Sequence, residues 1–328
     1  MDFLRAGLGL IFILGVAFAL SLNRKSIDWR LVGTGVGLQI IFGVLITQID
    51  FVRIAFNWVS NKFVVLLSFA DEGSDFLFGS LMDTENMGFI FALKVLPTVI
   101  FFSTLTSGLY YLGILQWIVK GIAWIMARTM KLSGAESLSA AGNIFLGQTE
   151  APLLVRPFVP SMTRSELMCL MTGGMATIAG GVLAGYVAFL GGGDPASQEK
   201  FAAYLLSASI MNAPAAIVMS KVMLPELYKE QINTDLTVST DTMGVNLVDA
   251  LARGASEGLK LALNIGAMLL AFIAIIAAIN YILMAIGDFS GLNALIVSST
   301  DGSFDGFSLE YLLGQIFRVF AFMIGVDW

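Results

Sequence analysis

Six stretches of this chain are apolar over a length that matches a lipid bilayer: Leu4 to Leu20, Leu31 to Gln48, Gly88 to Leu115, Glu166 to Leu190, Phe201 to Met223 and Leu261 to Gly287. A helix rises about 1.5 Å per residue and a bilayer core is about 30 Å thick, so about 20 such residues cross it. In hydrocarbon every backbone amide must find its partner inside the protein, and a long uninterrupted apolar run does this as a helix. With 57% hydrophobic and 13% charged residues and a mean hydropathy of +0.84, the composition lies outside the range of a soluble domain. The chain therefore reads as an all-α polytopic membrane protein. The first run carries Ala17-Phe18-Ala19, which resembles a signal-peptide cleavage site, but its basic residues Arg24, Lys25 and Arg30 follow the apolar run instead of preceding it. That order favours an uncleaved span.

One stretch between the spans, Ser133 to Ser161, is apolar without being long enough to cross. Its first half, Ala135 to Leu146, makes a helix of roughly 18 Å. It then meets Gly147-Gln148-Thr149-Glu150-Ala151-Pro152, where glycine frees the backbone, proline withholds an amide proton and three polar side chains arrive together. Leu153, Leu154 and Val155 follow before Pro157 and Pro160 stop the chain again. A helix that enters a membrane, breaks on a polar tip and returns is a re-entrant hairpin, and such backbone is tolerated only where it packs in protein or lines a cavity. The alternative is a cytoplasmic helix and loop with Gln148, Thr149 and Glu150 solvated.

Lysine and arginine fall unevenly between the loops. One set of loops, residues 22–30, 114–164 and 219–261, holds Arg24, Lys25, Arg30, Lys120, Arg128, Lys131, Arg156, Arg164, Lys221, Lys229, Arg253 and Lys260. The other set holds fewer, Arg5, Arg53, Lys62 and Lys200 among them, together with most of the loop acids. The positive-inside rule places the first set in the cytoplasm and the N-terminus outside, so the hairpin enters from the inner face. The net charge of −6 gives no reason to expect nucleic acid as a partner.

The absence of histidine removes the commonest general base, transition-metal ligand and physiological proton switch at once. Cys169 is the only cysteine, which leaves no thiolate pair and reads as a small core residue. A membrane-embedded enzyme would have little catalytic equipment here, and the chain is not expected to be an enzyme.

Phe51 to Phe69 reads as an amphipathic helix at the outer interface, with Arg53, Asn57, Asn61 and Lys62 recurring on one side and Trp58 as an anchor. A seventh span is the alternative. The run Asp71-Glu72-Gly73-Ser74-Asp75 breaks the pattern after it. Leu115 to Lys131 reads as a second interfacial helix, at the inner face, with Trp117 and Trp124 among its apolar residues. Leu115-Gln116-Trp117-Ile118-Val119 aligns with Leu309-Glu310-Tyr311-Leu312-Leu313, and the register continues through Ile122/Ile316, Ile125/Val319 and Ala127/Ala321. The first copy lies inside and the second outside, which is the pattern of an inverted repeat. On that pattern the second repeat stops after its first element, and the chain is expected to end before a second hairpin.

The fourth span is rich in glycine. Gly181 and Gly185 fit the small-xxx-small spacing that lets helices approach closely. Thr177-Ile178-Ala179-Gly180-Gly181 also permits unwinding, which frees carbonyl oxygens of the kind that coordinate a desolvated cation, with Asn143 and Thr177 able to add side-chain oxygens. Glu150, Lys94 and Glu257 are the charges near membrane depth. A charge at the centre of a bilayer costs roughly 2.5–3.5 kcal/mol, so Glu150 is expected to face a cavity and a partner. A carboxylate beside an amide and a hydroxyl suits an uncharged polar ring carrying N–H and C=O groups.

Gly147-Gln148-Thr149-Glu150-Ala151-Pro152, Met162-Thr163-Arg164-Ser165-Glu166-Leu167, Ala176-Thr177-Ile178-Ala179-Gly180-Gly181-Val182-Leu183-Ala184-Gly185-Tyr186 and Ser207-Ala208-Ser209-Ile210-Met211-Asn212-Ala213-Pro214, with Lys221 and Pro225-Glu226, resemble the concentrative nucleoside transporter family. The resemblance covers the whole chain and is most specific between Ala141 and Glu226. It implies a fold of re-entrant helical hairpins and inverted repeats, a homotrimer embedded in membrane lipid, and cation-coupled symport of nucleosides such as uridine, cytidine or adenosine across a bacterial inner membrane.

By motif position the resemblance puts the nucleobase on Gly147, Gln148, Thr149 and Glu150 with Val182 nearby, and Na+ among Asn143, the Leu146 carbonyl, Thr177 and the Ile178 carbonyl. Gln-Thr-Glu together with Asn143 favours sodium; a proton-coupled relative is the alternative, and a non-transporting truncated membrane scaffold is the alternative of another class. The second hairpin signature and the later Asn and Ser that hold the ribose are absent before Trp328. The implied organisation is scaffold spans over residues 1–115 with an interfacial helix at about 51–69, and a first transport repeat over 116–228 containing the hairpin at 133–161. A cytoplasmic linker at 229–260, a scaffold span at 261–287 and an exterior loop leading into an incomplete second repeat at 288–328 complete it.

Overall fold

The computed structural model describes residues 2–148, 151–192, 194–228, 233, 236 and 244–326. Helices account for the regular structure among them. Five helical segments among the described residues are long and apolar enough to cross a membrane, Trp29–Gln48, Phe91–Tyr111, Arg164–Gly191, Pro195–Met223 and Leu247–Ser290, and Arg5–Ala19 is apolar but shorter. These six correspond to the six apolar runs. The chain divides into two compact units, Met1–Ala19 with Asn264–Trp328, and Leu20–Leu263.

In the second of these units α2 (Trp29–Gln48) begins where the Asp28 carboxylate accepts from the amides of Arg30 and Leu31, satisfying donors that the first turn leaves open. The next helix, α3, runs through Asp50–Phe78 and does not stop at Phe69. The acidic run that breaks the hydrophobic pattern does not break the helix. Ala70 and Ser74 are buried, Ser74 Oγ donates to the Ala70 carbonyl, and Asp71 lies 3.5 Å from Lys94 Nζ. Gly79, at φ 55°, ends it, a conformation an L side chain resists.

After α4 (Thr84–Met87) and α5 (Phe91–Lys94), α6 (Leu96–Tyr111) leads to α7 (Ile114–Met130). Here the apolar pattern divides the helix. Leu115, Val119, Ala123, Met126 and Met130 are buried, whereas Trp117 and Trp124 are exposed, Trp124 lying under the Arg128 guanidinium at 5.5 Å. Lys131, in the left-handed conformation, ends the helix and turns the chain into the hairpin.

The segment expected as a hairpin contains α8 (Gly134–Gly142), α9 (Ala151–Leu154) and a 3-10 turn at Arg156–Ser161. Every residue of α8 is buried, so this helix is packed on all sides. Its return arm is equally enclosed at Ala151, Leu154 and Val155. The arms touch where a Cβ on Gly142 would lie 2.6 Å from Leu154 Cδ1.

The fourth apolar run is two helices, α10 (Arg164–Ala176) and α11 (Gly180–Gly191), separated by extended backbone at Thr177 and Ala179. Both readings of its glycines hold at different positions. The chain unwinds before Gly180, and beyond it Gly185 brings α11 against Val95, where a Cβ would lie 3.0 Å from Val95 Cγ1. Leu183, Ala184 and Val187 of α11 form a core with Leu67, Phe102 and Ala202.

Next comes α12 (Pro195–Met223), packed on α2. At their crossing a Cβ on Gly35 would collide with Val218 Cγ2 and lie 2.9 Å from Met130 Cε. Gly35→Val should therefore destabilise the protein by about 1–3 kcal/mol, the usual cost of overpacking, read as a lower melting temperature in detergent. Gly33→Val is the control, because nothing lies within 4 Å of that position.

α13 (Leu247–Ser290) begins well before Leu261, so the segment expected as a linker over 229–260 is helical from Leu247 onward. Asn246 Oδ1 accepts from the Asp249 amide while Asp249 Oδ2 accepts from the Val245 amide, a reciprocal cap that starts the helix early. Gly254 and Gly258 then let it approach α6 closely, since a Cβ there would lie 2.6 Å from Ser107 and 2.8 Å from Ser103 Cβ.

In the other unit α1 (Asp2–Ala19) packs beside α15 (Leu309–Met323). A Cβ on Gly9 would lie 2.6 Å from Ile324 Cα, and the rings of Phe12 and Phe320 are 6.2 Å apart. Between α13 and α15 lies α14 (Leu292–Ser299). Asn293 fixes the turn that leads into it by donating to the Met284 carbonyl and Asp288 and accepting from the Phe307 amide.

Candidate functional site

The turn that ends α8 and the break that ends α10 meet. The Gly180 amide donates to the Phe145 carbonyl at 3.1 Å, and Ser209 Oγ on α12 donates to the Ile144 carbonyl at 3.1 Å. Two carbonyls of the turn after α8 are thereby taken up by neighbouring elements, as backbone packed inside a protein requires. Close approach is possible because α10 presents glycine. A Cβ on Gly173 would lie 2.9 Å from Asn143 Nδ2, and one on Gly174 would lie 3.0 Å from Gln148 Cβ.

Asn143 is fully buried, and among the described residues neither end of its carboxamide has a hydrogen-bond partner. Left unmatched, such a group costs about 1–3 kcal/mol of desolvation. Thr177 supplies a second oxygen nearby in the fold. Its hydroxyl spends its only proton on the Gly173 carbonyl at 2.8 Å and so presents lone pairs to anything else. The Ile178 side chain is anchored in the core formed by Leu183, Phe102 and their neighbours, which fixes the backbone that carries its carbonyl.

A cavity of about 370 Å3 opens at this junction and is lined by Gly147, Gln148, Thr177, Ile178 and Val182, with Tyr186 at its wall. Its size falls within the range of small-molecule sites. The fold thus brings together five of the residues picked out from the sequence. Asn143 lies against Gly173 behind them, and Leu146 with Gly147 borders a second, narrower cavity whose far wall carries Ser103, Thr106, Ser107 and Glu257. Thr149 and Glu150 lie outside the described residues.

Two features of the site were not anticipated. Ser209 reaches the turn from α12. At the opposite end of the hairpin, Glu136 and Lys221 form a buried ion pair. Part of the signal for the second was present as Ser133-Gly134-Ala135-Glu136 and Thr163-Arg164-Ser165-Glu166, two capping-box sequences that mark helix starts.

Three family models match successive parts of the chain. Residues 8–81 match the Na+ dependent nucleoside transporter N-terminus, residues 92–193 the model described as nucleoside recognition, and residues 204–328 the Na+ dependent nucleoside transporter C-terminus. An uncharacterized transporter of Haemophilus influenzae is 40% identical over 328 residues, covering 99% of this chain and 73% of that relative. The chain belongs to the concentrative nucleoside transporter family. Bacillus subtilis YutK, also an uncharacterized transporter, is 40% identical, with 100% of this chain and 76% of YutK covered. Sodium/nucleoside cotransporter 1 of the rat is 39% identical over 98% of this chain, which spans 46% of that protein.

Among solved structures, CNTnw in an inward-facing substrate-bound state superposes with a TM-score of 0.86 at 37% identity, over 100% of this chain and 74% of that one. A variant of CNTnw in an outward-facing state gives 0.87 at 38% identity, over 99% and 74%. The fold and the relatives of this chain are those of transporters and not of enzymes.

Proposed function

We propose that this chain carries nucleosides into the cell together with sodium, by alternating exposure of one site to the two sides of a bacterial inner membrane. The nucleobase binds at the hairpin tip to Gly147, Gln148, Thr149 and Glu150, with Val182 against its face. Sodium binds where the hairpin turn meets the broken helix, on Asn143, the Leu146 carbonyl, Thr177 and the Ile178 carbonyl. The observation that carries this reading is the cavity that gathers Gly147, Gln148, Thr177, Ile178 and Val182 beside a buried carboxamide with no described partner. The sodium-dependent description of the family and the cotransporter relatives support the choice of ion. In this reading the hairpin is re-entrant from the cytoplasmic side, the N-terminus is outside and the protein is a homotrimer in lipid.

Uptake of labelled uridine into proteoliposomes tests the proposal. A sodium gradient should drive accumulation, and Glu150→Gln should reduce it on the order of ten- to a hundredfold, as when a buried hydrogen-bonding group loses its partner. Uptake that follows a pH gradient and ignores sodium would establish the proton-coupled alternative. Uptake unchanged by Glu150→Gln would remove the nucleobase role from the tip.

A further inference from the structure

The most deeply buried charges lie at the base of the hairpin, away from the cavity. Lys221, in the last turn of α12, is 6% exposed. Its ammonium pairs with Glu136, donates to Ser165 Oγ at 2.9 Å and lies 3.7 Å from Glu226 Oε2. Glu136 is 2% exposed and accepts from the Ser133 amide, closing the capping box at the start of α8. Ser165 stands in the first turn of α10 and donates onward to the Leu224 carbonyl at 2.7 Å. Glu226 accepts from Thr163 Oγ1 at 2.6 Å, and Thr163 is the N-cap of α10. A single ammonium on α12 therefore holds the starting ends of α8 and α10 together.

Those same two helices deliver the proposed cation oxygens at their far ends, Asn143 and Leu146 beyond α8, Thr177 and Ile178 beyond α10. With its nine residues, α8 is about 14 Å long and packed on every side, so a shift or rotation at its base is transmitted to its end. A buried ion pair is weak evidence for stability, because the desolvation of both charges offsets most of their attraction. What it supplies is direction: the ammonium accepts only an arrangement in which both carboxylates and the Ser165 hydroxyl converge on it.

We propose that Lys221 is a positioning residue for the cation site, setting the height of the α8 end against the α10 end so that the oxygens of 143–146 and 177–178 face one ion. The inference rests on the reading of that site as a sodium site. The test is a melting-temperature titration of the purified protein with sodium chloride, choline replacing sodium, followed by a uridine titration at saturating sodium. In Lys221→Met the sodium concentration for half-maximal stabilisation should rise roughly tenfold, the low end of the range for groups that orient a ligand from outside the coordination shell. The uridine titration should match wild type, because bound sodium itself draws the two helix ends together.

Should Lys221→Met not accumulate, Glu136→Gln keeps the shape of the cluster and should raise the sodium requirement in the same direction by a smaller factor. A wild type stabilised by sodium and a variant with the same sodium titration overturn the inference alone. Sodium and uridine titrations shifted together, along with a lower sodium-free melting temperature, also overturn it, because they indicate a role in stability only. A wild type that sodium leaves unaffected removes the cation reading and this inference with it.

Discussion

Asn143→Leu should shift stabilisation by sodium to roughly 30- to 150-fold higher concentrations while leaving the sodium-free protein at least as stable as wild type. The two effects have opposite signs for one reason. Asn143 is fully buried and has no hydrogen-bond partner among the described residues. In the absence of ion it therefore carries a desolvation penalty of about 1–3 kcal/mol that an apolar side chain of similar volume does not. In the proposed sodium site the same carboxamide oxygen is a ligand, and its loss should cost about 2–3 kcal/mol, which is roughly a 30- to 150-fold weaker affinity. Anything that binds only the folded state raises its apparent stability, so both effects are read from melting curves recorded with and without sodium. Sodium-driven uridine uptake should fall to the level seen with choline. A variant that melts lower without sodium yet still responds to it would show that the amide is a packing group.

Gly180→Ala should cost about 2–4 kcal/mol and eliminate uptake. A Cβ at Gly180 would lie 2.7 Å from the Phe145 carbonyl oxygen, the same atom that accepts the Gly180 amide at 3.1 Å. The obstacle is backbone and cannot swing away. The estimate adds an overpacking cost to the loss of the hydrogen bond to that carbonyl. Because Phe145 is flanked by Ile144 and Leu146, any retreat moves the whole turn that ends α8. Gly181→Ala is the control. Its nearest neighbours would be at 3.5 Å or more, an ordinary contact, so stability and uptake should stay near wild type. Equal losses at both positions would mean that the helix break itself, and not its contact with the hairpin, is what the glycines serve.

The break at Thr177 to Ala179 was legible because its cause is local: a hydroxyl residue and paired glycines lower the cost of leaving the helix, and no distant contact is needed to see it. That a short helix stands here was legible for a similar reason, the run being too brief to cross a bilayer, but α8 ends at Gly142 and not at Leu146. Where the outcome depended on tertiary contacts the pattern misled. The acids at 71–75 look like a helix terminator, but Asp71 has Lys94 to face and Ser74 is buried, so α3 continues to Phe78. Polar residues between Asn246 and Lys260 look like a loop, yet Gly254 and Gly258 pack on α6 and extend α13 to Leu247. The ion cluster joins residues 136, 165, 221 and 226, which no local period connects. Lys221 appeared in the sequence only as part of a motif, and its partners are known from the fold alone.

The buried position of Cys169 on α10, at 3% exposure, has a practical consequence. The sole thiol of the molecule is shielded, so wild-type protein is close to a blank for maleimide and spin-label chemistry. Reporter pairs placed on the hairpin and on α6 can be read against that blank without first removing a native side chain.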